Sequence, residues 1–249
     1  MKGVVFAFCF FTNIPCPGKN AWQETAAARA LGWLPLTGLA VGLLQAAVFS
    51  LMESGGFPRF EELKAVLLIL TELLAGGTLF LDGFADSCDG LFSRRDREET
   101  LRIMKDSRIG AMGVLGLLMY FLLKYSLYQE LMYLGEIRRV LVFAPVMGRF
   151  AVTLTAFLFA PAKSQGLAAF FRKEQQPGDF LLALVFALVL GAALPGRLGL
   201  AGLAAASAAC IFGALVNRKL KGHTGDTYGF VSLLTEQAFC LFAAFFLLY

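Results

Sequence analysis

The sequence predicts an all-α, polytopic integral membrane bundle of about six or seven transmembrane helices, with a short N-terminal interfacial or re-entrant segment. Three observations predict it. Hydrophobic residues make up 58% of the 249 and charged residues only 16%, whereas soluble domains run nearer half apolar and a quarter charged. A chain this short cannot hide so much apolar surface in one water-facing core. Apolar stretches also recur along the chain at lengths that suit a bilayer, since about 20 helical residues cross a hydrocarbon layer of about 30 Å.

The elements follow in order. Val4 to Phe11, after Lys2, is too short to span and runs into Asn13-Ile14-Pro15-Cys16-Pro17 without a small-x-small cleavage site, so an interfacial or re-entrant segment is expected rather than a cleaved leader. Spans are expected at 31–52, 63–81, 109–128, 140–160, 180–196, 198–216 and 229–248. The fifth and sixth are short and flank Pro195-Gly196, which predicts a tight hairpin. No repeat, low-complexity tract or soluble insertion separates them, so 1–249 reads as a single membrane-embedded domain in contact with membrane lipid.

Charge sets the orientation. The net charge of +4 is mild, and its basic residues sit in short loops rather than in one stripe, which argues against nucleic acid as a partner. With the N-terminus inside, fifteen Lys and Arg fall in inner segments and five in outer ones, the bias expected of cytoplasmic loops. This places the polar segments 82–108 and 217–229 on one cytoplasmic face, four crossings apart and able to share a site. Five scattered cysteines without a Cys-x-x-Cys pair indicate neither a disulfide framework nor a thiolate metal site.

The chemistry concentrates in three places. Asp82, Asp86 and Asp89 stand at offsets that put three carboxylates within about 60° on a helix. Three like charges beside an apolar span repel one another, and a divalent cation relieves them. All-oxygen donors suit Mg2+, which keeps positions for phosphate and water. The competing reading is a solvated acidic helix end. Next, Arg102, Lys105, Asp106, Ser107 and Arg108 form a dense basic segment in which arginine forks and a lysine suit phosphate. Arg94, Arg95 and Arg97 fit a membrane-anchoring loop equally well. Third, His223, Thr224, Gly225 and Asp226 lie in a Gly-rich loop whose N–H groups and hydroxyls suit phosphate oxygens, with Asp226 a further candidate metal ligand. His223 reads as a loop residue or a catalyst. Glu72, Arg149 and Glu236 fall inside predicted spans, where ionisable residues are functional candidates or pair structurally.

These residues carry a resemblance. The run from Leu81 to Gly90, followed by the segment from Arg102 to Leu115, is similar to the signature of the cobalamin synthase (adenosylcobinamide-GDP ribazoletransferase) family. Phe10 to Pro17 and Gly222 to Gly229 with Glu236 match its other hallmarks in order, so the resemblance runs essentially end to end. It implies a bacterial inner-membrane enzyme that joins adenosylcobinamide-GDP to α-ribazole or its 5′-phosphate, releasing GMP, with magnesium. It implies metal binding by Asp82, Asp86 and Asp89, catalytic roles for Asp82, Lys105, Arg108 and Asp226, and substrate contacts from Arg102, Asp106, Ser107, His223, Thr224 and Gly225. Asp82 and Asp226 are both candidate bases. Such an enzyme is compatible with a homo-oligomer or with association with other cobalamin-biosynthesis proteins. Two positions depart from the family: Phe80 stands where it often has His, and Asn13 where it has Arg before Ile-Pro. A CDP-alcohol phosphotransferase is the nearest alternative, but Asp86 stands where its motif has Arg. A cation-coupled transporter would show two related halves, and none is evident.

Overall fold

The computed structural model describes residues 2–14, 29–55, 60–194 and 196–248. Eleven helices account for nearly all of the described residues: α1 (Lys2–Phe11), α2 (Ala30–Ser54), α3 (Glu61–Gly76), α4 (Leu79–Leu91), α5 (Arg97–Ile103), α6 (Ala111–Tyr133), α7 (Ile137–Leu158), α8 (Leu167–Glu174), α9 (Pro177–Ala192), α10 (Gly196–Leu220) and α11 (Gly225–Leu248). Among those residues the one β-type contact is an isolated bridge between Pro161 and His223. Helices α2, α6, α7, α10 and α11 are each long and apolar enough to cross a membrane, and α3–α4 and α8–α9 add two more if each bent pair counts as one span. The chain is a multi-pass membrane protein, as its composition requires.

Helices α7 and α11 form the middle of the bundle, and α2 packs most extensively on α7. That crossing is close because Gly38 and Gly42 face the α7 backbone. A Cβ on Gly38 would lie 2.5 Å from the Pro145 carbonyl oxygen, and one on Gly42 would lie 2.6 Å from that of Leu141. Without a hydrophobic drive between helices in lipid, small residues at four-residue spacing let backbones approach and gain dispersion contacts.

Three expectations are corrected. The stretch 63–81 is not one straight span: α3 ends at Gly76, α4 starts at Leu79, and their axes differ by 99°. Gly77 makes the break with φ +76°, a left-handed conformation that a residue without Cβ adopts at little cost. The polar segment 82–108, expected as an inner loop between spans, is largely helical: α4 runs through Leu91 and α5 covers Arg97–Ile103, and Phe80, Phe84, Ser87 and Cys88 form a buried stripe at helical spacing on α4. No tight hairpin joins α9 to α10. Helix α9 packs on α2 and α7, α10 on α11 and α7, and Pro195 lies outside the described residues. Cys9 is disulfide-bonded, a cross-link that spacing did not signal, while Cys88, Cys210 and Cys240 are free.

The buried ionisable residues find one another. Lys124 Nζ lies 2.5 Å from Glu72 Oε1 and 2.5 Å from Glu236 Oε1, and Arg149 Nη1 lies 3.1 Å from Glu236 Oε2. The Gln45 amide and Tyr128 hydroxyl also donate to Glu72, at 3.0 and 3.1 Å. Two cations thus balance two carboxylates in mid-bundle. Of the two readings of Glu236, the structural pair with Arg149 is the one observed, and Lys124 is the member that sequence reasoning passed over.

Candidate active site

The acidic face of α4 meets the first turn of α11 at two glycines. A Cβ on Gly83 would lie 2.8 Å from the Asp226 Cα, and one on Gly229 would lie 2.7 Å from the Phe80 carbonyl oxygen. This backbone-to-backbone crossing brings Asp82 and Asp86 beside Asp226 across more than 130 residues of sequence. Asp86 feels the charges of Asp82, Asp226 and Asp89, and Asp226 those of Asp82 and Lys163. A cleft of ≈ 500 Å³ opens over the crossing, with Asp82, Asp226, Lys105 and Lys163 among its lining residues. That volume suits a nucleotide-sized ligand.

The turn before α11 is fastened by hydrogen bonds local to it. The Thr227 N–H donates to Thr224 Oγ1 at 3.3 Å and the Thr224 N–H to Thr227 Oγ1 at 2.9 Å, a reciprocal cap for a helix start. Thr224 Oγ1 also donates to Asp226 Oδ2 at 3.2 Å, which orients that carboxylate. His223 is fully buried. Its Nε2–H donates to the Gly213 carbonyl at 3.1 Å, leaving Nδ1 beside the Thr227 hydroxyl at 3.0 Å. Burial pushes its pKa down to about 4 from 6.5. The imidazole is therefore neutral at physiological pH and pins the turn, while Thr224, Gly225 and Asp226 line the cleft.

Two lysines face these carboxylates. Lys105 is exposed at the end of α5. Lys163, half-buried in the 159–166 connection, is the functional candidate the sequence did not single out; it looked like any lysine of an inner loop. Burial and the neighbouring Lys105 hold its ammonium below the usual lysine value, offset in part by Asp226. Two close ammonium groups repel, and an anion between them relieves that repulsion. The connection is held in place by Arg97, whose guanidinium donates to Leu220 O at 2.7 Å and Ala162 O at 2.5 Å. Arg97 thus ties α5 to the cleft wall rather than serving as a free loop cation.

Other predicted site residues lie elsewhere. Asp89 accepts from the Gly110 N–H at 2.7 Å and the Gly113 N–H at 2.8 Å, capping the start of α6, where unsatisfied N–H groups attract a carboxylate. Arg102 pairs with Glu99 at 2.6 Å and Arg108 with Asp106 at 2.9 Å, both on exposed surface. Carboxylates two or three residues away are the nearest partners those guanidinium groups can reach. The Arg108 guanidinium holds the Asp106 carboxyl down at about 2. Ser107 is exposed in the same bend. None of Arg102, Asp106, Ser107 and Arg108 lines the cleft. Phe80, at the departure from the family pattern, backs the cleft and covers the Arg149 guanidinium at 4.4 Å from its ring centre.

Asp82 and Asp86 make no side-chain hydrogen bond or ion pair among the described residues. Their hard oxygens suit a divalent cation such as magnesium, which takes one or two carboxylates and completes its shell with phosphate and water. Among the described residues no group of three or more His, Cys, Asp or Glu is arranged to hold a metal ion by itself, so the protein would supply at most two of a cation's ligands here.

Fold and cleft together define a multi-pass membrane protein whose bundle carries a cleft lined by both carboxylates and lysines. The chain belongs to the cobalamin-5-phosphate synthase family, whose profile matches residues 3–244. It is 36% identical to the adenosylcobinamide-GDP ribazoletransferase of Chlorobium phaeobacteroides, over 95% of this chain and 94% of that one. Proteins of the same name from Geotalea daltonii and Clostridium novyi are 37% and 32% identical, over 92% of both chains and over 97% and 96% respectively. No solved structure matches the chain.

Proposed function

We propose that this chain is an adenosylcobinamide-GDP ribazoletransferase working with Mg2+ on the cytoplasmic face of the bacterial inner membrane. It joins adenosylcobinamide-GDP to α-ribazole, or to its 5′-phosphate, and releases GMP. Support comes from family membership over nearly the whole chain. The single observation that carries the site assignment is the cleft in which Asp82 and Asp226 face Lys105 and Lys163. The cytoplasmic orientation rests on the excess of inner Lys and Arg.

The side chains divide the work by charge. Lys105 and Lys163 hold the diphosphate as point charges, and the turn at Thr224 and Gly225 supports its oxygens. Both lysines stabilise the charge that builds on phosphate oxygens as the bond to GMP lengthens. Asp82 and Asp86 would hold Mg2+, which would neutralise diphosphate charge when bound. Asp82 and Asp226, at the cleft floor, are positioned to take the proton of the attacking ribose hydroxyl. Arg108, paired with Asp106 in the exposed bend, is left without a role in the cleft. The apolar walls, Phe11 and Phe80 among them, exclude water, a competing nucleophile.

The test is direct. Purified protein in detergent, given adenosylcobinamide-GDP, α-ribazole and Mg2+, is expected to release GMP and form adenosylcobalamin in equal amounts, and EDTA is expected to stop both. Folded protein that forms neither product would overturn the assignment, and CMP release from a CDP-alcohol would replace it with the phosphotransferase reading.

A further inference from the structure

Helix α4 reaches the cleft through the 99° break at Gly77, and a glycine there does not by itself fix the direction of the helix that follows. Contacts from two sides reach this elbow. The Asn13 N–H, just beyond α1, donates to Ala75 O at 2.9 Å in the last turn of α3. From within the bundle, the Arg149 guanidinium of α7 arrives at the same place. A Cβ on Gly76 would lie 3.2 Å from Arg149 Nη2, and the Phe80 ring, in the first turn of α4, is centred 4.4 Å from Arg149 Cζ. Arg149 therefore stands against the end of one helix and the beginning of the next.

Arg149 is itself anchored. It pairs with Glu236 on α11 at 3.1 Å, Glu236 pairs with Lys124 on α6, and Lys124 with Glu72 on α3. Four helices thus meet in one ionic chain, and α4 joins it through the face that Phe80 lays on Arg149. Both side chains are buried, and a guanidinium over an aromatic face is held more strongly away from water. Phe80 has a second contact that carries this brace to the site. Its carbonyl oxygen lies 2.7 Å from where a Cβ on Gly229 would be, in the same crossing where Gly83 meets Asp226. A shift of the ring moves that backbone and, with it, Asp82 two residues on. Arg149 does not line the cleft. It lines a separate cavity of ≈ 20 Å³, of which Phe80 is also a wall; that is room for about one water molecule, so no substrate reaches the guanidinium there.

We infer that Arg149 is a positioning residue for the transfer: anchored by Glu236, its guanidinium fixes Phe80 and so the tilt of α4 that brings Asp82 and Asp86 to Asp226. The kinetic consequence rests on the transferase reading, while the structural one rests on these contacts alone. Lysine cannot take over the role. An ammonium keeps the positive charge opposite Glu236 but has no planar face to lay on the ring.

Arg149→Lys and Phe80→Leu, made separately and together in the full chain, test this. Each single variant is expected to melt in detergent close to the unaltered protein and to lower kcat about 10-fold, the scale of a desolvated cation–π contact. KM for either substrate should change less than about twofold, since Arg149 touches neither. The double variant is expected to lose no more than the worse single one, because both changes remove the same contact. Two losses that multiply to about 100-fold, a kcat unchanged in both single variants, or a loss accounted for by a smaller folded fraction would each overturn the inference. Hydrogen exchange separates this failure from that of the transferase reading, because it needs no turnover. Faster amide exchange across 78–91 in both single variants, with α9 and α10 unchanged, supports the brace even in a protein that forms no product. Exchange across 78–91 that neither variant alters removes it.

Discussion

Two sets of carboxylates in this bundle are treated in opposite ways. Glu72 and Glu236 sit in mid-bundle, each in contact with a lysine or arginine, and Glu236 is fully enclosed. Asp82 and Asp86 sit on α4 and have no cationic side chain paired with them among the described residues. Isolated charge in an apolar medium is costly, so carboxylates in the bundle must be paired by the protein itself. Where a cleft admits solvent, the protein can leave carboxylates unpaired for a ligand to complete. The difference separates charge that holds the fold from charge kept for chemistry.

Removing one charge from each set is the sharpest way to break that comparison. Asp82→Asn is expected to lower kcat at least about 100-fold, the scale of losing a catalytic carboxylate, with the melting temperature in detergent unchanged. A fall in stability matching the loss of activity would place Asp82 with the structural set. Glu236→Gln is expected to act the other way. It leaves Lys124 and Arg149 short of a counter-charge, and loss of one partner of a buried pair costs about 3–5 kcal/mol, read as a lower unfolding midpoint and lower yield of folded protein. A Glu236→Gln protein of normal stability but low kcat would move Glu236 into the catalytic set.

A smaller effect comes from His223, which belongs to the cleft by position and to the scaffold by role. Its folded pKa of about 4 lies below the ordinary 6.5, so the unfolded chain binds the proton more readily. The stability it contributes is complete above pH 6.5 and drains as pH falls toward 4, by up to about 3 kcal/mol at about 1.4 kcal/mol per unit. Thermal melts across that window should show the decline, and His223→Gln should flatten it. An unchanged slope in the variant would mean that other groups carry the acid sensitivity.

Much of the fold was legible because the relevant signals are local. Span positions follow from runs of apolar residues, and Asp82 and Asp86 share a face because helical spacing is a short-range property. The failures share a cause as well. Gly76-Gly77 interrupts a run that hydropathy reads as continuous, so the span 63–81 hid a 99° bend. Asp89 has the same spacing signature as its neighbours, yet the start of α6 lies beside it and claims both of its oxygens. Arg102 and Arg108 carried a phosphate-like pattern but found carboxylates two or three residues away.

By itself the sequence determined a polytopic helical membrane protein, a helix presenting Asp82 and Asp86, and a Gly-containing break between spans within 217–229, which the structure narrows to the residues between Leu220 and Gly225; each depends on residues within a few positions of one another. Only the tertiary structure decided that Asp226 rather than Asp89 stands with Asp82 at the cleft, that Lys163 faces them, and that Lys124 neutralises Glu72 and Glu236. Those pairings join residues about 50 to 150 positions apart. They are fixed by how closely helices approach, which here turns on single glycines such as Gly83 and Gly229, whose missing Cβ atoms allow backbones to touch.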